Sequence, residues 1–366
     1  MSGTSLDGAD AVLVDFAPPG HATLQVIAHV HRPFPEGLRK ELLALNAPGP
    51  DELHRAALAG NALARSYAEV IRELLALAQA GTDDVVAAGV HGQTVRHRPR
   101  EFDGTGYTLQ LGNAALLAEL SGVDVIADFR IRDLAAGGQG APLVPAFHRA
   151  VFAQEGVDSA VLNLGGIANL TLLRADGSTH GFDTGPAGAL MDGWIARHHG
   201  RAYDEGGAWA ATGRVHAALL QAMLSEPFLA QGYPKSTGRD LFNPNWLQGH
   251  HQAADATIPP KDVQATLLEF TARTVADALL REAPATRELL VCGGGARNDA
   301  LVQRLRALLP SVSGLIATDH RGLPAEQVEA TAFAWLAKAH VERQAGNLPS
   351  VTGAREPRVL GAWYPR

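Results

Sequence analysis

Apolar residues recur along this chain with two periods, and the places where one period gives way to the other mark its elements. The run "AVLVDFAP" (11–18) predicts a short strand closed by Pro18 and Pro19, and "TLQVIAHVHRPF" (23–34) alternates well enough to pair with it as a hairpin. In "PDELHRAALAGNALARSYAEVIRELLALAQAG" the apolar positions fall three and four apart, which predicts one long helix from Asp51 to Gly81. "DVVAAGVHGQTV" predicts a buried strand running into a loop at His91-Gly92-Gln93. "GVDVIADFRIRD" predicts another strand, delivering Asp128, Arg130 and Arg132 to its end.

The glycine- and proline-rich stretch "AAGGQGAPLVPAFHRAVF" then reads as a hinge, and a second round begins after it. "SAVLNLGGIANLTLL" predicts a hairpin turning at Gly165-Gly166, and "THGFDTGPAGALMDGWIARHHG" a strand, a tight turn and a helix. A helix over "PKDVQATLLEFTARTVADALLREA", a strand over "ELLVCGGGARN" and a last helix/strand/helix series complete the chain. Hairpins followed by alternating helices and strands, twice over, indicate an α/β protein with mixed sheets. Both "GTSLDGADAVLVDF" and "LNLGGIANLTLL" set a small-residue turn within a hairpin at the head of a half, a sign of duplication.

Composition narrows the classes. At 366 residues the chain is long for one core, so two domains are expected. Its net charge of −7 and its lack of any Lys/Arg run longer than two argue against a general nucleic-acid surface. A lone Cys292 excludes an intramolecular disulfide framework and fits a reducing compartment. With no signal peptide and no apolar run of about 20 residues, the chain reads as a soluble cytoplasmic protein.

Four glycine-rich segments end predicted strands: 3–8, 163–166, 184–188 and 293–295. Backbone N–H groups at such turns form concavities for anions, and glycine lets phosphate oxygens approach. None is a P-loop or a dinucleotide fingerprint; each alone reads as structural, but four in one chain fit a gripped nucleotide. Asp183, at a strand end before Thr-Gly-Pro and a helix, is the candidate for acid–base work, with a helix N-cap as the competing role. Asp192 reads as a packing or solvated residue. His91 and Gln93 could meet a polar ligand or serve the core. Arg130, Arg132 and Glu329 could bind hydroxyl or carboxylate groups or form surface ion pairs. No metal motif is visible, so any metal would be Mg²⁺ brought with a nucleotide.

In order from end to end, "MSGTSLDGAD", "HGQTVRH", "ADFRIRDLAAGGQGAPLVPAFH", "LNLGGIANLTLL", "FDTGPAGALMDGW", "PKSTGRDLFN", "DVQATLLEFTA", "VCGGGARN", "FAWLA" and "GNLPSVTGA" resemble the anhydro-N-acetylmuramic acid kinase family of the actin/Hsp70/sugar-kinase superfamily. The resemblance implies two ribonuclease-H-like, actin-like domains with mixed sheets around an interdomain nucleotide cleft. Their expected bounds are 1–134 and 135–366, with the C-terminal tail packing back on the first domain. It implies ATP and Mg²⁺, a homodimer, no nucleic-acid or membrane partner, and a place in peptidoglycan recycling. The implied reaction opens the 1,6-anhydro bridge of 1,6-anhydro-N-acetylmuramic acid with water and phosphorylates O6. By that resemblance Gly3, Thr4, Ser5, Leu6, Asp7, Gly8, Ala9 and Asp10 form a first phosphate loop. Asn163, Gly165 and Gly166 form a second, and Gly293, Gly294 and Gly295 flank the adenosine. Asp183 matches the general base, and Arg132 and Glu329 match sugar-contacting positions.

Two departures from the family pattern set further expectations. Family members carry strand residues before the "MSGTSLDG" segment, so the first strand is expected to be missing or a stub. Their "DTGPGN" stands here as "DTGPAG", with Ala187 and Gly188, so a contact from the asparagine is expected to be absent. The competing functions are a kinase of another anhydrosugar such as levoglucosan, and a non-enzymatic ATP-binding module of the Hsp70/actin type.

Overall fold

The computed structural model describes residues 1–3, 6, 8–16 and 24–366. The chain first forms β1 (Gly8–Phe16), β2 (Leu24–Pro33), α1 (Glu36–Ala44), α2 (Glu52–Ala78), β3 (Ala88–Gly89), β4 (Gln93–Pro99) and β5 (Gly106–Leu111). Next come α3 (Ala114–Ser121), β6 (Val125–Ala127), α4 (Ile131–Ala135) and α5 (Val144–Phe152). The second round is β7 (Ser159–Leu164), β8 (Ile167–Leu173), β9 (Thr179–Pro186), α6 (Gly188–His199), α7 (Ala217–Leu224), α8 (Pro227–Ala230), α9 (Pro244–Asp255) and α10 (Pro260–Glu282). It ends with β10 (Glu288–Cys292), α11 (Asp299–Leu308) and β11 (Gly314–Ala317), and α12 (Val328–Val341), α13 (Pro349–Thr352) and β12 (Ala362–Tyr364) close the chain.

These elements make two compact units, Met1–Val151 with Gln327–Arg366, and Phe152–Glu326. The division therefore falls after Val151 and not at 134/135, because the glycine-rich stretch is no linker. Asp133, wholly buried, accepts hydrogen bonds from the Gly140 N–H (2.7 Å), Asn347 Nδ2 (2.6 Å) and Thr352 Oγ1 (2.7 Å). The Gln139 N–H donates to the Thr352 carbonyl at 2.9 Å. One carboxylate thus ties the stretch to the C-terminal segment of the same unit.

The second unit is built on a five-stranded sheet in the order β11-β10-β7-β8-β9. β10 runs parallel to both β7 and β11, while β8 pairs antiparallel with β7 and β9. This mixed α/β sheet is of the kind expected for each half. β7 is buried along its whole length, as a central strand covered on both faces must be. Leu162, Leu170 and Phe182 from the sheet share one core with Leu267, Phe270 and Val275 of α10.

The first unit holds a β1–β2 hairpin, a β4–β5 hairpin and a three-stranded β12-β6-β3 sheet. Leu63, Tyr67, Val70 and Leu74 of α2 pack with Val30, Leu42 and Val125, while Phe333 and Leu336 of α12 pack with Ile126, Phe129 and Leu360. Two predicted strands are shorter than the pattern suggested. β6 stops at Ala127 because Asp128 takes a left-handed φ of 61° and turns the chain into α4, which places Arg130 and Arg132 at a helix start. β3 covers only Ala88–Gly89, and Gly92 at φ 76° starts a separate hairpin at Gln93. Among the described residues no helix is long and apolar enough to cross a membrane.

Candidate functional site

Register across the second unit's sheet sets Cys292 beside Asn163, Asn163 beside Asn169, and Asn169 beside Asp183. Directly opposed residues share a face, so one row of side chains crosses four strands. Cys292 Sγ lies 3.9 Å from Asn163 Oδ1, and both residues are buried. Asp183, 8% exposed, is held by one segment from two directions: its N–H donates to the Lys235 carbonyl at 3.1 Å, and its Oδ2 accepts the Thr237 N–H at 2.8 Å. Lys235 is buried beside it. Its Nζ donates to the carbonyls of Phe228 and Leu229 at 3.1 and 3.2 Å and lies 4.6 Å from the centre of the Phe228 ring. Burial, helped by the charge on Arg281, pushes the Lys235 ammonium down to about 8, against the pull of Glu282 and Asp183.

Asp183 is not a helix cap. It lies within β9, and α6 begins at Gly188 with Ala187 as a cap that makes no side-chain bond. The β7–β8 turn supplies the cap instead: the Gly165 carbonyl accepts the Gly188 N–H at 2.9 Å, and the Gly166 carbonyl accepts those of Ala187 and Ala189 at 3.0 Å. The turn also meets the loop after β10. A Cβ on Gly293 would collide with Asn163 Oδ1 and sit 2.8 Å from the Leu164 carbonyl, and one on Gly295 would lie 2.6 Å from Leu164 Cβ. The φ of 79° at Gly293 adds a second reason for glycine there. Asn163, Gly165 and Gly166, the 184–188 turn and Gly293–Gly295 therefore gather at one end of one sheet, where β7, β9 and β10 all finish. Ligands of open α/β sheets favour such carboxyl-terminal ends.

The remaining candidates belong to the first unit, and Thr4, Ser5 and Asp7 lie outside the described residues. Leu6, left-handed at φ 59°, donates its N–H to the Gly3 carbonyl (3.3 Å), which also accepts Gln93 Nε2 at 3.1 Å. Gly8 and Ala9 open β1. Asp10 Oδ1 meets His31 Nδ1 at 3.0 Å and His29 Nε2 at 3.4 Å. Burial works to raise the Asp10 pKa, but the hydrogen bonds from His29 and His31 outweigh it and hold the carboxyl below its ordinary value.

His91 is buried, with its Nε2 accepting from Arg130 Nε at 2.9 Å. Burial and then the Arg130 charge hold its pKa well below the ordinary value, so the ring is neutral. His91 and Gln93 thus brace the interior, although Gln93 Oε1 is buried with no hydrogen-bond partner among the described residues. Arg132 is exposed on α4, and Glu329 is half-buried in the first turn of α12.

Pattern reading missed Asn169, Lys235 and Thr237. Asn169 carried a signal, as a polar residue inside an apolar strand run; Lys235 and Thr237 lay in a loop whose partner only the fold reveals. Among the described residues no group of three or more His, Cys, Asp or Glu could hold a metal ion.

A family profile described as anhydro-N-acetylmuramic acid kinase matches residues 1–366. Relatives bearing the same description include proteins from Variovorax paradoxus (59% identical over 370 residues, 100% of this chain and 97% of the relative) and Bordetella petrii (60% over 367 residues, 100% and 95%). A third, from Chromobacterium violaceum, is 54% identical over 366 residues, covering 100% of this chain and 98% of its own.

Proposed function

Because this chain belongs to the anhydro-N-acetylmuramic acid kinase family, we propose that its kinase reaction couples hydrolysis of a 1,6-anhydro sugar to phosphorylation, with Asp183 as the general base. The carboxylate takes a proton from water as the water oxygen bonds to C1. The C1–O6 bond breaks, and O6 forms a bond to the γ-phosphorus of ATP. ADP departs, the phosphoryl group ends on O6, and the water proton ends on Asp183. The products are N-acetylmuramic acid 6-phosphate and ADP. The chemistry is that of an inverting glycosidase whose leaving oxygen is captured by phosphorus and not by a proton.

The observation that carries this reading is the fixed position of Asp183. It stands in one row with Asn163, at the sheet end where three glycine-rich segments meet. The Thr237 N–H fixes the carboxylate through Oδ2, and the carboxylate is assigned to water. With the carbonyls of Gly165 and Gly166 turned to α6, the N–H groups of the same turn are assigned to a phosphate. Gly293–Gly295 are assigned to the adenosine, since bare backbone there admits a flat ligand. The loop from Gly3 to Asp10 is assigned to the phosphates, and His91, Gln93, Arg132 and Glu329 to the sugar side, with His91 and Gln93 acting through the loop they brace. Phosphoryl transfer asks chiefly for positioning and charge neutralisation. Mg²⁺ brought with the nucleotide would supply the neutralising charge. A substrate of this class is a cell-wall amino sugar, which supports a part for the reaction in its reuse.

The test is turnover of 1,6-anhydro-N-acetylmuramic acid with ATP and Mg²⁺ in ¹⁸O-water. One ¹⁸O is expected at C1 of the product and none in the phosphate. Label in the phosphate, or no sugar-dependent ADP, overturns the route. Asp183→Asn is expected to lower turnover at least ~10²-fold, the scale of a lost general base, while nucleotide affinity is unchanged. Near-wild-type turnover removes Asp183 from the role.

A further inference from the structure

Between α8 and α9 a short segment, residues 233–237, closes on Asp183 from both its backbone and its carboxylate side. The Lys235 carbonyl accepts the Asp183 N–H at 3.1 Å, and the Thr237 N–H donates to Asp183 Oδ2 at 2.8 Å. Side chains fasten the segment in turn. The Tyr233 ring stacks on Phe182 of β9, with centroids 5.5 Å apart at 11°, and lies 4.8 Å from the His180 ring. The Lys235 side chain runs the other way, to α8, where Nζ donates to the Phe228 and Leu229 carbonyls at 3.1 and 3.2 Å and lies 4.6 Å from the Phe228 ring centre.

A helix end leaves its last carbonyls without intrahelical donors. Because α8 spans only Pro227–Ala230, the carbonyls of Phe228 and Leu229 lie at that end. The Phe228 ring packs edge-on against Phe242 (6.0 Å, 80°) within the core of the second unit, so the anchor is part of the core. Hydrogen bonds from a cation are about twice as strong as neutral ones. Against this, a 5%-exposed ammonium carries a desolvation penalty that an apolar side chain of equal length would not. A cation is kept here all the same, at the segment that holds Asp183, and packing alone does not call for one.

Charged groups stand on the elements around this ammonium. Asp183 is on β9, and Arg281 and Glu282, paired at 2.7 Å, end α10. Glu226 at the head of α8 is engaged with Trp246 Nε1 at 2.9 Å and the Phe228 N–H at 3.4 Å. Since burial, and then Arg281, bring the Lys235 pKa to about 8, the group is mostly charged at neutral pH and loses its proton in mildly alkaline solution.

We propose that Lys235 is a positioning residue for the reaction: its ammonium, tied to the end of α8, fixes the 233–237 segment and through it the Asp183 carboxylate. The proposal rests on the reading of Asp183 as the general base. In this role Lys235 needs no contact with a reacting atom, because a displacement of about 1 Å at a reacting group is enough to cost ~10²-fold in rate.

The test compares Lys235→Met, Asp183→Asn and the double variant with the parent, in turnover of 1,6-anhydro-N-acetylmuramic acid with ATP and Mg²⁺ and in amide hydrogen exchange. Lys235→Met is expected to lower kcat at least ~10-fold with both KM values within ~2-fold, as for an interaction needed only in the transition state. Added to Asp183→Asn, it is expected to lower kcat by less than ~2-fold more, because both act through one group. The Asp183 and Thr237 amides are expected to exchange at least ~10-fold faster in Lys235→Met, with Val161 and Leu162 of β7 unchanged. An unchanged kcat, a full multiplied loss in the double variant, or unchanged exchange at the two amides overturns the proposal. Parent-like turnover of Asp183→Asn removes the base reading and this proposal with it, whereas parent-like turnover of Lys235→Met beside a crippled Asp183→Asn removes the proposal alone. If Lys235→Met does not fold, the parent decides. Between about pH 7 and about pH 9.5 the protection of the Asp183 and Thr237 amides is expected to fall at least ~3-fold as the charge on Lys235 is lost, while Val161 and Leu162 keep theirs. Constant protection at all four amides overturns it.

Discussion

Asp183 and Asp133 show how one carboxylate can be fixed for opposite ends. Asp183, the carboxylate proposed for chemistry, accepts the Thr237 N–H at Oδ2, while Asp133 has both oxygens spent on Gly140, Asn347 and Thr352. Asp133→Ala would take the acceptor from three donors in a region closed to water, leaving Asn347 Nδ2 and Thr352 Oγ1 only long contacts of 3.5 and 3.4 Å to the Glu356 and Leu348 carbonyls. Buried unsatisfied polar groups cost ~1–3 kcal/mol each, so a loss of about 3 kcal/mol or more is expected in urea unfolding, with the midpoint shifted and the slope retained. A loss under 1 kcal/mol would mean that the C-terminal segment is not held by this residue. Lys235 is the third case. Its ammonium is folded in at a cost: its pKa of about 8 lies below the 10.5 of the unfolded chain, so the unfolded state binds more protons between those values and stability rises with pH across that window.

Among the elements, the loop after β10 separates the demands on neighbouring glycines. Gly293 has a left-handed φ and no room beyond its Cα, whereas a Cβ on Gly294 would meet nothing within 4 Å. Gly293→Ala is expected to lower stability by about 2 kcal/mol or more, from backbone strain and the collision with Asn163, and to weaken nucleotide binding. Gly294→Ala is expected to leave the melting temperature within about 2 °C of the parent. Equal effects of the two substitutions in a thermal melt and a nucleotide titration would show that the close approach of this loop to β7 does not matter. The turn at Gly165-Gly166 acts in the same way across elements, since its carbonyls cap α6 and make the Ala187-Gly188 sequence tolerable without a capping side chain.

At the scale of the molecule, histidines buried in the first unit couple stability to pH. Burial holds His148 near 3, and burial with the Arg130 charge holds His97 near 4, both below the 6.5 of an unfolded histidine. Between these folded values and 6.5 the unfolded chain binds more protons, so stability is full above about pH 6.5 and falls as pH drops. Wholly buried His148 contributes up to about 1.4 kcal/mol per pH unit in that window. His148→Gln is expected to flatten the dependence of unfolding free energy between pH 5 and 6 relative to the parent. An unchanged slope would show that His148 is already protonated in the fold.

The long helices α2 and α10, the β7–β8 hairpin and the four glycine-rich segments follow from the sequence alone. Period, turn chemistry and the steric freedom of glycine act over a few residues, so neighbours in sequence suffice to specify them. Asp183 was legible for a similar reason, as a carboxylate at the end of an apolar run. Which glycine segments meet, which oxygen of Asp183 is engaged, why β6 stops at Asp128, and that Asp133 makes a presumed linker part of the first unit all rest on pairs far apart in the chain. Asn163 faces Asn169 and Asp183 only because three strands settle in one register, and Asp133 reaches residues more than 200 positions away. Register and long-range packing are set by the burial of whole faces, a quantity that no local stretch of sequence contains.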